Sequence, residues 1–479
     1  MSTRLDVLIV RPNNKAAIYP GLEERNLTGC EPPFWAALLA GFLRSKNYSV
    51  VLLDAEAEGQ TYNETADLIN HLKPLLTVIA VSGTNPHAST MNMIGVQNLA
   101  PKLFGTVVML HGLHPSAAVQ DCFLPGVDYV VEHEGFETIP QTIELLKHER
   151  TKEDPLIPGL WAKAASYAPA TKLANLADLP MPAWDLLPMD KYRAHIELCM
   201  GGHPRQPYGL VYTSLGCPFK CTFCNINAMF PEHTIRYRPE DHVVAEIKFL
   251  NEKYGIKNIK IIDEMLALEE KRTVSLFTKI AALHLGLNMR VYGRVDTVTV
   301  PMLDALAAAG VSWIGYGFET GNAQVLTQSR KGNAKLIDKS FQIIEQSHSA
   351  GLHVSACYLF GLPGDTDETH RQTFDLMLRH NCEWANIFTV MPYPGSALYD
   401  EAVASGWQPP NNYTGWSQYT PNSHPLREEW ATRWRDWAFN SYNSNPGYLA
   451  SIQAKFDLPT RHVIEDMTKF KLRRDYDAK

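Results

Sequence analysis

The stretch SLGCPFKCTFCN, residues 214–225, holds Cys217, Cys221 and Cys224 in the spacing C-x3-C-x2-C. The chain has only 8 cysteines in 479 residues. That is too sparse for a disulfide scaffold, so three together point to metal binding or redox chemistry. Thiolates are soft ligands that suit zinc or iron–sulfur clusters. A structural zinc site takes four ligands, usually from two C-x2-C pairs. Only one such pair is present, and Cys199, which could complete a four-thiolate set, sits at no common zinc spacing. Three close thiolates without a fourth suit a 4Fe–4S cluster that keeps one iron open for a substrate or cofactor. Gly216 and Pro218 favour a loop that wraps such a group. A zinc knuckle and chance clustering are the competing readings.

The cluster directly follows the strand-like run YGLVYTS (208–214). Further strand candidates are IKIID (259–263), MRVYGR (289–294), SWIGYGFE (312–319), LHVSACYLFG (352–361) and WANIFTV (384–390), separated by helical segments. Six strand–helix units predict a partial (βα)6 barrel, with reactive residues at the C-terminal ends of the strands. Upstream, DVLIV (6–10), SVVLLD (49–54), LTVIAVSG (76–83), TVVMLHG (106–112) and VDYVVEHEG (127–135) read as buried parallel strands, again alternating with amphipathic helices. This predicts an α/β fold with an N-terminal doubly wound, Rossmann-like domain. The expected boundaries are 1–150 for that domain, 151–202 for a linker, 203–402 for the barrel and 403–479 for a helical C-terminal domain. The proline-rich LANLADLPMPAWDLLPMDKY (173–192) reads as linker packed on the surface. Trp430, Trp434 and Trp437 fall on one helix face and read as packing, with the C-terminal helices capping the barrel mouth.

Net charge is −7 with a pI of about 6.2. Such a balance gives no global attraction to nucleic acid or an anionic membrane. No run approaches the roughly 20 apolar residues of a membrane helix, and MSTRLDVLIVRP carries no signal-peptide pattern. A cytoplasmic protein with no nucleic-acid partner and no membrane span is expected. A doubly wound domain binds its ligand at the strand ends, here the loops RPNN, SGTNPH, HGLHPS and EHEGFE. No G-x-G-x-x-G follows the first strand, which argues against a dinucleotide. Tyr292, Tyr316 and Tyr358 lie near strand ends and are candidates either for pocket lining or for core packing.

A C-x3-C-x2-C loop after the first strand of a six-unit partial barrel resembles the radical S-adenosylmethionine (SAM) superfamily. IIDE (261–264), GRVD (293–296), GYGFETG (315–321), FGLPGDTDE (360–368) and MPYPGSALYDEA (391–402) resemble its later strand motifs. The resemblance implies that Cys217, Cys221 and Cys224 hold a 4Fe–4S cluster and that SAM chelates the open iron. It places Phe223 by the adenine, Asp263 or Glu264 at the methionine amino group, Arg294 at the SAM carboxylate and Glu319 at the ribose or amino group. The order EPPFWAALLAGFLRSKNYSVVLLD, LHGLHPS, VDYVVEHEGFET, LPMPAWDLLPMDKY over 1–195 resembles the cobalamin-binding subfamily of these enzymes. Implied cobalamin contacts are Ser82, Gly83, Thr84, His111, Gly112, His114, Glu134 and Gly135. The chain departs from the pattern at Leu113, where a second glycine is usual, and at HEGFE in place of GEGE. No D-x-H-x-x-G is present, so bound cobalamin is expected to lack that kind of histidine ligation.

Together these resemblances imply a cobalamin-dependent radical SAM methyltransferase. It would act on an unactivated carbon of a small molecule through a 5′-deoxyadenosyl radical and methylcobalamin. An external one-electron donor such as flavodoxin or ferredoxin is implied, and no side chain is singled out as catalytic. The alternatives are oxidative cyclisation or ring rearrangement, for example of a tetrapyrrole; a radical SAM enzyme without cobalamin; and a non-enzymatic metal-binding protein.

Overall fold

Aliphatic and β-branched runs too short for helices, each buried along its length, assemble into two parallel sheets. The computed structural model describes residues 4–18, 28–83, 86–148, 156–163, 167–170, 173–417 and 429–469. The first sheet contains β1 (Val7–Arg11), β2 (Val50–Asp54), β3 (Leu76–Ala80), β4 (Val107–His111), β5 (Tyr129–Val131) and β6 (Leu160–Ala162). Their spatial order is β2-β1-β3-β4-β5-β6. β1 to β5 are parallel, and all of β1 and β3 is buried, as strands covered by helices on both faces require. The chain order reverses between β1 and β3. In a doubly wound sheet that reversal opens a ligand crevice beyond the carboxyl ends of those two strands.

The second sheet contains β7 (Tyr208–Val211), β10 (Asn258–Ile261), β11 (Asn288–Gly293), β12 (Val311–Glu319), β13 (His353–Phe360) and β14 (Trp384–Thr389). Its order is β14-β13-β12-β11-β10-β7, parallel throughout, with β7 and β14 at the edges. This is the six-strand partial barrel expected from the sequence. A separate two-stranded ribbon, β8 (Ser214–Leu215) with β9 (Arg236–Tyr237), stands at the end of β7. No helix among the described residues is long and apolar enough to cross a membrane.

Three features differ from the sequence expectation. The first sheet runs one strand further, because β6 adds an antiparallel edge to β5. The proline-rich segment is not a surface linker. Trp184 and Tyr192 are fully buried, and the Trp184 indole donates to the Glu246 carboxylate at 3.0 Å. Phe34 packs on both Trp184 and Tyr212, with ring centroids 5.9 and 4.8 Å apart, so this segment forms the core between the two sheets. Proline removes the periodicity by which burial is read from sequence.

Thirdly, of the described C-terminal helices it is the start of Trp430–Asn443 that stands at the mouth side, where Trp430 stacks on His370 beside the end of β13. The Trp430 and Trp434 indoles both donate to Asp367, and Trp437 packs on Phe374, so the stripe lies along helix Asp367–His380. The chain then reaches the opposite end of the barrel, where Phe456 stacks on Trp313 near the start of β12. At the mouth, Tyr393, Met391 and Trp416 instead pack with Ile18 and Met91.

At the carboxyl ends of β1 and β2, the Arg11 guanidinium binds Asp54 through two hydrogen bonds of 2.8 and 2.6 Å. Tyr192 donates to the same carboxylate at 2.7 Å, and Arg11 reaches the Glu31 carbonyl. Asp54 is 1% exposed, so its removal leaves the buried Arg11 with only the Glu56 carboxylate at 3.8 Å among the described residues, and breaking a buried pair costs up to about 3–5 kcal/mol. Asp54→Ala is expected to lower the thermal midpoint of the full chain sharply, and Arg11→Met combined with Asp54→Leu to recover much of that loss.

Candidate functional site

β7 ends where the chain enters the ribbon, and the cysteine loop is the excursion between its two strands. Gly216 opens it with φ +89°; a Cβ there would sit 2.5 Å from the Thr234 carbonyl, so only glycine lets the two legs cross. The Asp263 carboxylate, just past β10, is 2% exposed and accepts from the Thr213 amide, the Thr213 hydroxyl and the Ser214 hydroxyl at 2.6, 2.5 and 2.6 Å. Burial pushes this carboxyl up to about 6, while the three donors favour its charged form. The neighbouring Glu264 accepts from the Gly216 amide at 3.2 Å; burial, with Asp263 adding to it, pushes its carboxyl up to about 8.

The loop is tied at further points. The Thr222 amide donates to the Ser329 carbonyl, the Leu398 amide to the Thr222 carbonyl, and the Asn225 side chain to the Pro394 carbonyl. Within the loop, Asn227 donates to the Phe219 carbonyl. The three thiols thus stand at the C-terminal ends of the barrel strands, each partly accessible. Among the described residues no three metal-ligating side chains close on a single ion. Cys199 lies elsewhere: the adjacent Leu198 carbonyl accepts from Asn288, the first residue of β11, at the opposite end of the barrel.

Phe223 lies against the apolar cluster of Val325, Leu362, Val390 and Leu398. Arg294 is 7% exposed, binds Asp296 at 2.9 and 2.8 Å, stacks on the Phe219 ring at 3.8 Å and approaches the Cys221 sulfur at 3.7 Å. Glu319 ends β12 with φ +68°, a left-handed conformation uncommon outside glycine and a form of strain that gathers at functional sites. Its carboxylate pairs with Lys331 at 2.8 Å. Burial disfavours the Lys331 ammonium, but Glu319 more than offsets it and the ammonium is strengthened. The sequence reading missed Lys331, although the basic pair in QSRKGN marked that turn.

Of the tyrosines, Tyr316 and Tyr358 are core residues, bonded to Ser347 and His380 on the outer helices. Tyr292 instead lies by Lys260 and Arg290, inside the barrel. Both cations have carboxylate partners from outside the barrel: Lys260 binds Glu31 at 2.8 Å, and Arg290 binds Glu197 at 2.7 Å.

The carboxyl ends of the first sheet meet this site. A cleft lined by Arg11, Trp35, Ser82, Gly83, Asn92 and Tyr212 among others lies between the ends of β1 and β3 and the barrel strands β7 and β10. Ser82 and Gly83 are therefore in it, while Thr84 lies outside the described residues. His111 is buried with Nε2 3.0 Å from the Glu134 carbonyl oxygen, and the buried His114 places Nδ1 3.3 Å from the Thr90 hydroxyl. Burial lowers both imidazoles to about 4, so both are neutral at pH 7. The His114 Nε2 is buried without a hydrogen-bond partner among the described residues. Gly112, at φ +138°, lets β4 close onto the Val81 carbonyl, and Gly135, at φ +72°, turns beneath His111. The Glu134 carboxylate binds Arg236 of β9 and the Ala174 amide, and His133 reaches the Ala228 carbonyl, so these side chains join the first sheet to the cysteine loop.

Residues 211–377 match the radical SAM superfamily and residues 25–143 the B12 binding domain. An uncharacterised methyltransferase of Pyrococcus horikoshii is 27% identical over 87% of this chain and 86% of its own. The anaerobic magnesium-protoporphyrin IX monomethyl ester cyclase of Rubrivivax gelatinosus is 23% identical over 82% of this chain and 69% of its own. The structure is similar to that of the radical SAM methyltransferase TsrM from Kitasatospora setae with cobalamin and a [4Fe-4S] cluster bound. There the TM-score is 0.64 at 17% identity, over 95% of this chain and 90% of that one. With a B12 binding domain ahead of a radical SAM domain on one such fold, the chain belongs to the cobalamin-binding radical SAM enzymes.

Proposed function

We propose that the chain is a cobalamin-dependent radical SAM methyltransferase that methylates an unactivated carbon of a small molecule. The observation that carries this reading is the cleft: it lies between the crevice at the β1/β3 reversal, at Ser82 and Gly83, and the ends of β7 and β10, at Tyr212 and Ile262. The cysteine loop is tethered at those same ends through Asp263, so a methyl carrier in the crevice would face the side of the barrel that carries the radical source. The methyltransferases among its relatives support it.

The residues fit the groups this requires. Three soft thiols on one loop, with no fourth, match a cluster with an open iron. The crevice ends in Ser82 and an exposed Gly83, and the buried His114 Nε2 lacks a hydrogen-bond partner among the described residues. When bound, the cluster, SAM and cobalamin supply reductive SAM cleavage and a transferable methyl group; positioning and water exclusion are the protein's part.

In this reading Cys217, Cys221 and Cys224 ligate the cluster, and Asp263 holds the loop that carries them. Glu264 takes the methionine ammonium, and Glu319 orients SAM while Lys331 neutralises it. Lys331 is a second candidate, beside Arg294, for the SAM carboxylate, because Arg294 is already bidentate to Asp296. Phe223 and its apolar neighbours offer the adenine a surface. Ser82 and Gly83 face cobalamin across the cleft; His111, Gly112, Glu134 and Gly135 shape the loops around it, and the free His114 nitrogen is offered to it. A cytoplasmic setting and an external one-electron donor of the flavodoxin or ferredoxin type belong to the same proposal. The named cyclase relative favours a second reading, oxidative cyclisation.

Anaerobic reconstitution with iron, sulfide and hydroxocobalamin should load roughly four irons and one cobalt per chain. With reductant and methyl-labelled SAM, label should appear on cobalamin together with S-adenosylhomocysteine. Only methionine and 5′-deoxyadenosine would instead favour cyclisation, and iron without cobalt would discard methyl transfer from cobalamin. Cys221→Ala should lose both iron and SAM cleavage; retained cleavage would sink the cluster assignment.

Glu264 gives a pH test. Its carboxyl is raised, so between about pH 4.5 and 8 the folded chain binds more protons than the unfolded one. Stability is therefore lost as pH rises through that window, by at most about 1.4 kcal/mol per unit. Glu264→Gln should remove this loss and melt higher than the parent above pH 8. A bound ammonium favours the ionised carboxylate, so SAM affinity should rise with pH across the same window in the parent and stay flat in Glu264→Gln.

A further inference from the structure

The outer rim of the cysteine loop carries charge that the proposed chemistry leaves unused. Lys220 is exposed and sits between Phe219 and Cys221. The Thr222 amide and hydroxyl reach the Ser329 carbonyl, which sets this leg of the loop beside Arg330. Arg330 is exposed and has φ +54°, so the turn is held in the left-handed region. Exposed Lys335 follows in the first turn of helix Ala334–Ser349. Lys339, one helical turn on, donates to the Asp296 carbonyl, and Asp296 holds Arg294 against Cys221.

None of these four cations has a carboxylate within salt-bridge distance among the described residues. Nearby acids do not cancel them. The Asp296 carboxylate is bidentate to Arg294 and Glu319 pairs with Lys331, while exposed Asp338 and Glu345, the two acids of helix Ala334–Ser349, pair with none of these cations among the described residues. In a chain of net charge −7, an unneutralised basic rim next to partly accessible thiols is a local reversal of sign.

We propose that Lys220, Arg330, Lys335 and Lys339 form the docking face for an acidic one-electron carrier protein of the flavodoxin class. The inference rests on the reading of the three cysteines as a cluster site. Cys217, Cys221 and Cys224 are each partly accessible, and exposed Lys220 stands between the first two of them, so a carrier docked on this rim comes up against the thiols. Complementary charge there steers encounter and fixes orientation, acting mainly on the association rate and falling with salt. A docked carrier's reduced flavin would give up one electron to a cluster held by Cys217, Cys221 and Cys224.

The test uses the full reconstituted chain and the variant Lys220→Glu/Arg330→Glu/Lys335→Glu. Lys339 is left intact because it braces Asp296. Binding to an immobilised acidic flavodoxin is measured by biolayer interferometry at low and high salt. Cluster bleaching is then followed by stopped flow with reduced flavodoxin and, separately, with dithionite. The triple variant should bind flavodoxin at least about tenfold more weakly at low salt and lose most of the salt dependence. Its bleaching by flavodoxin should slow to match, while bleaching by dithionite stays unchanged. Affinity unchanged within about twofold would overturn the docking face, as would equal slowing with both reductants, which marks a structural effect on the loop. A parent chain that takes up no iron would overturn the cluster reading itself, and is told apart by its missing absorbance before any donor is added.

Discussion

Three hydrogen bonds into one carboxylate, that of Asp263, decide where the cysteine loop stands. A buried carboxylate is costly unless its oxygens are satisfied, and here the donors all come from Thr213 and Ser214, the last residues before the loop. The loop base is thereby lashed to the end of β10. Gly216 can then cross its own returning leg, and the ribbon of β8 and β9 closes the excursion. The placing of Cys217, Cys221 and Cys224 at the barrel mouth, with Glu264 touching the same glycine, follows from that tether.

The second constraint is how the two sheets meet. Two ion pairs cross into the barrel, Lys260 with Glu31 and Arg290 with Glu197, and a third, Arg236 with Glu134, binds the ribbon to the end of the first sheet. Arg11, Asp54 and Tyr192 lock the proline-rich segment beneath the crevice. The carboxyl ends of both sheets are thus turned toward each other across one cleft. Each domain of this kind places its ligands at those ends, and here both sets of ends border that cleft.

Much of this was legible from residue order. Strands buried on both faces announce themselves as unbroken aliphatic runs, and the two parallel sheets lie where those runs stand. β6 was missed because three residues, LWA, carry no periodicity. The burial of Trp184 and Tyr192 was missed because prolines interrupt every repeat around them. The Trp430 stripe was correctly seen as packing, but which end of the barrel the helices after it reach depends on contacts such as Phe456 on Trp313. Tyr316 and Tyr358 differ from Tyr292 only in which face of a strand each occupies, and a β-bulge between Gly317 and Glu319 shifts that register locally.

By itself the sequence determined the chemistry available: three thiols on one loop, a strand–helix alternation run twice, and small residues at the ends of the first set of strands. These are local properties, set by side-chain type and spacing along a few turns of chain. The tertiary structure decided which groups work together. Asp263 became a tether and Glu264 a proton-holding neighbour on the Gly216 amide; Lys331 came to face Glu319; Cys199 was carried to the far end of the barrel. Such pairings join residues distant in the chain and depend on burial, which raises the energy of every unpaired charge and so selects the partners that close packing brings within reach.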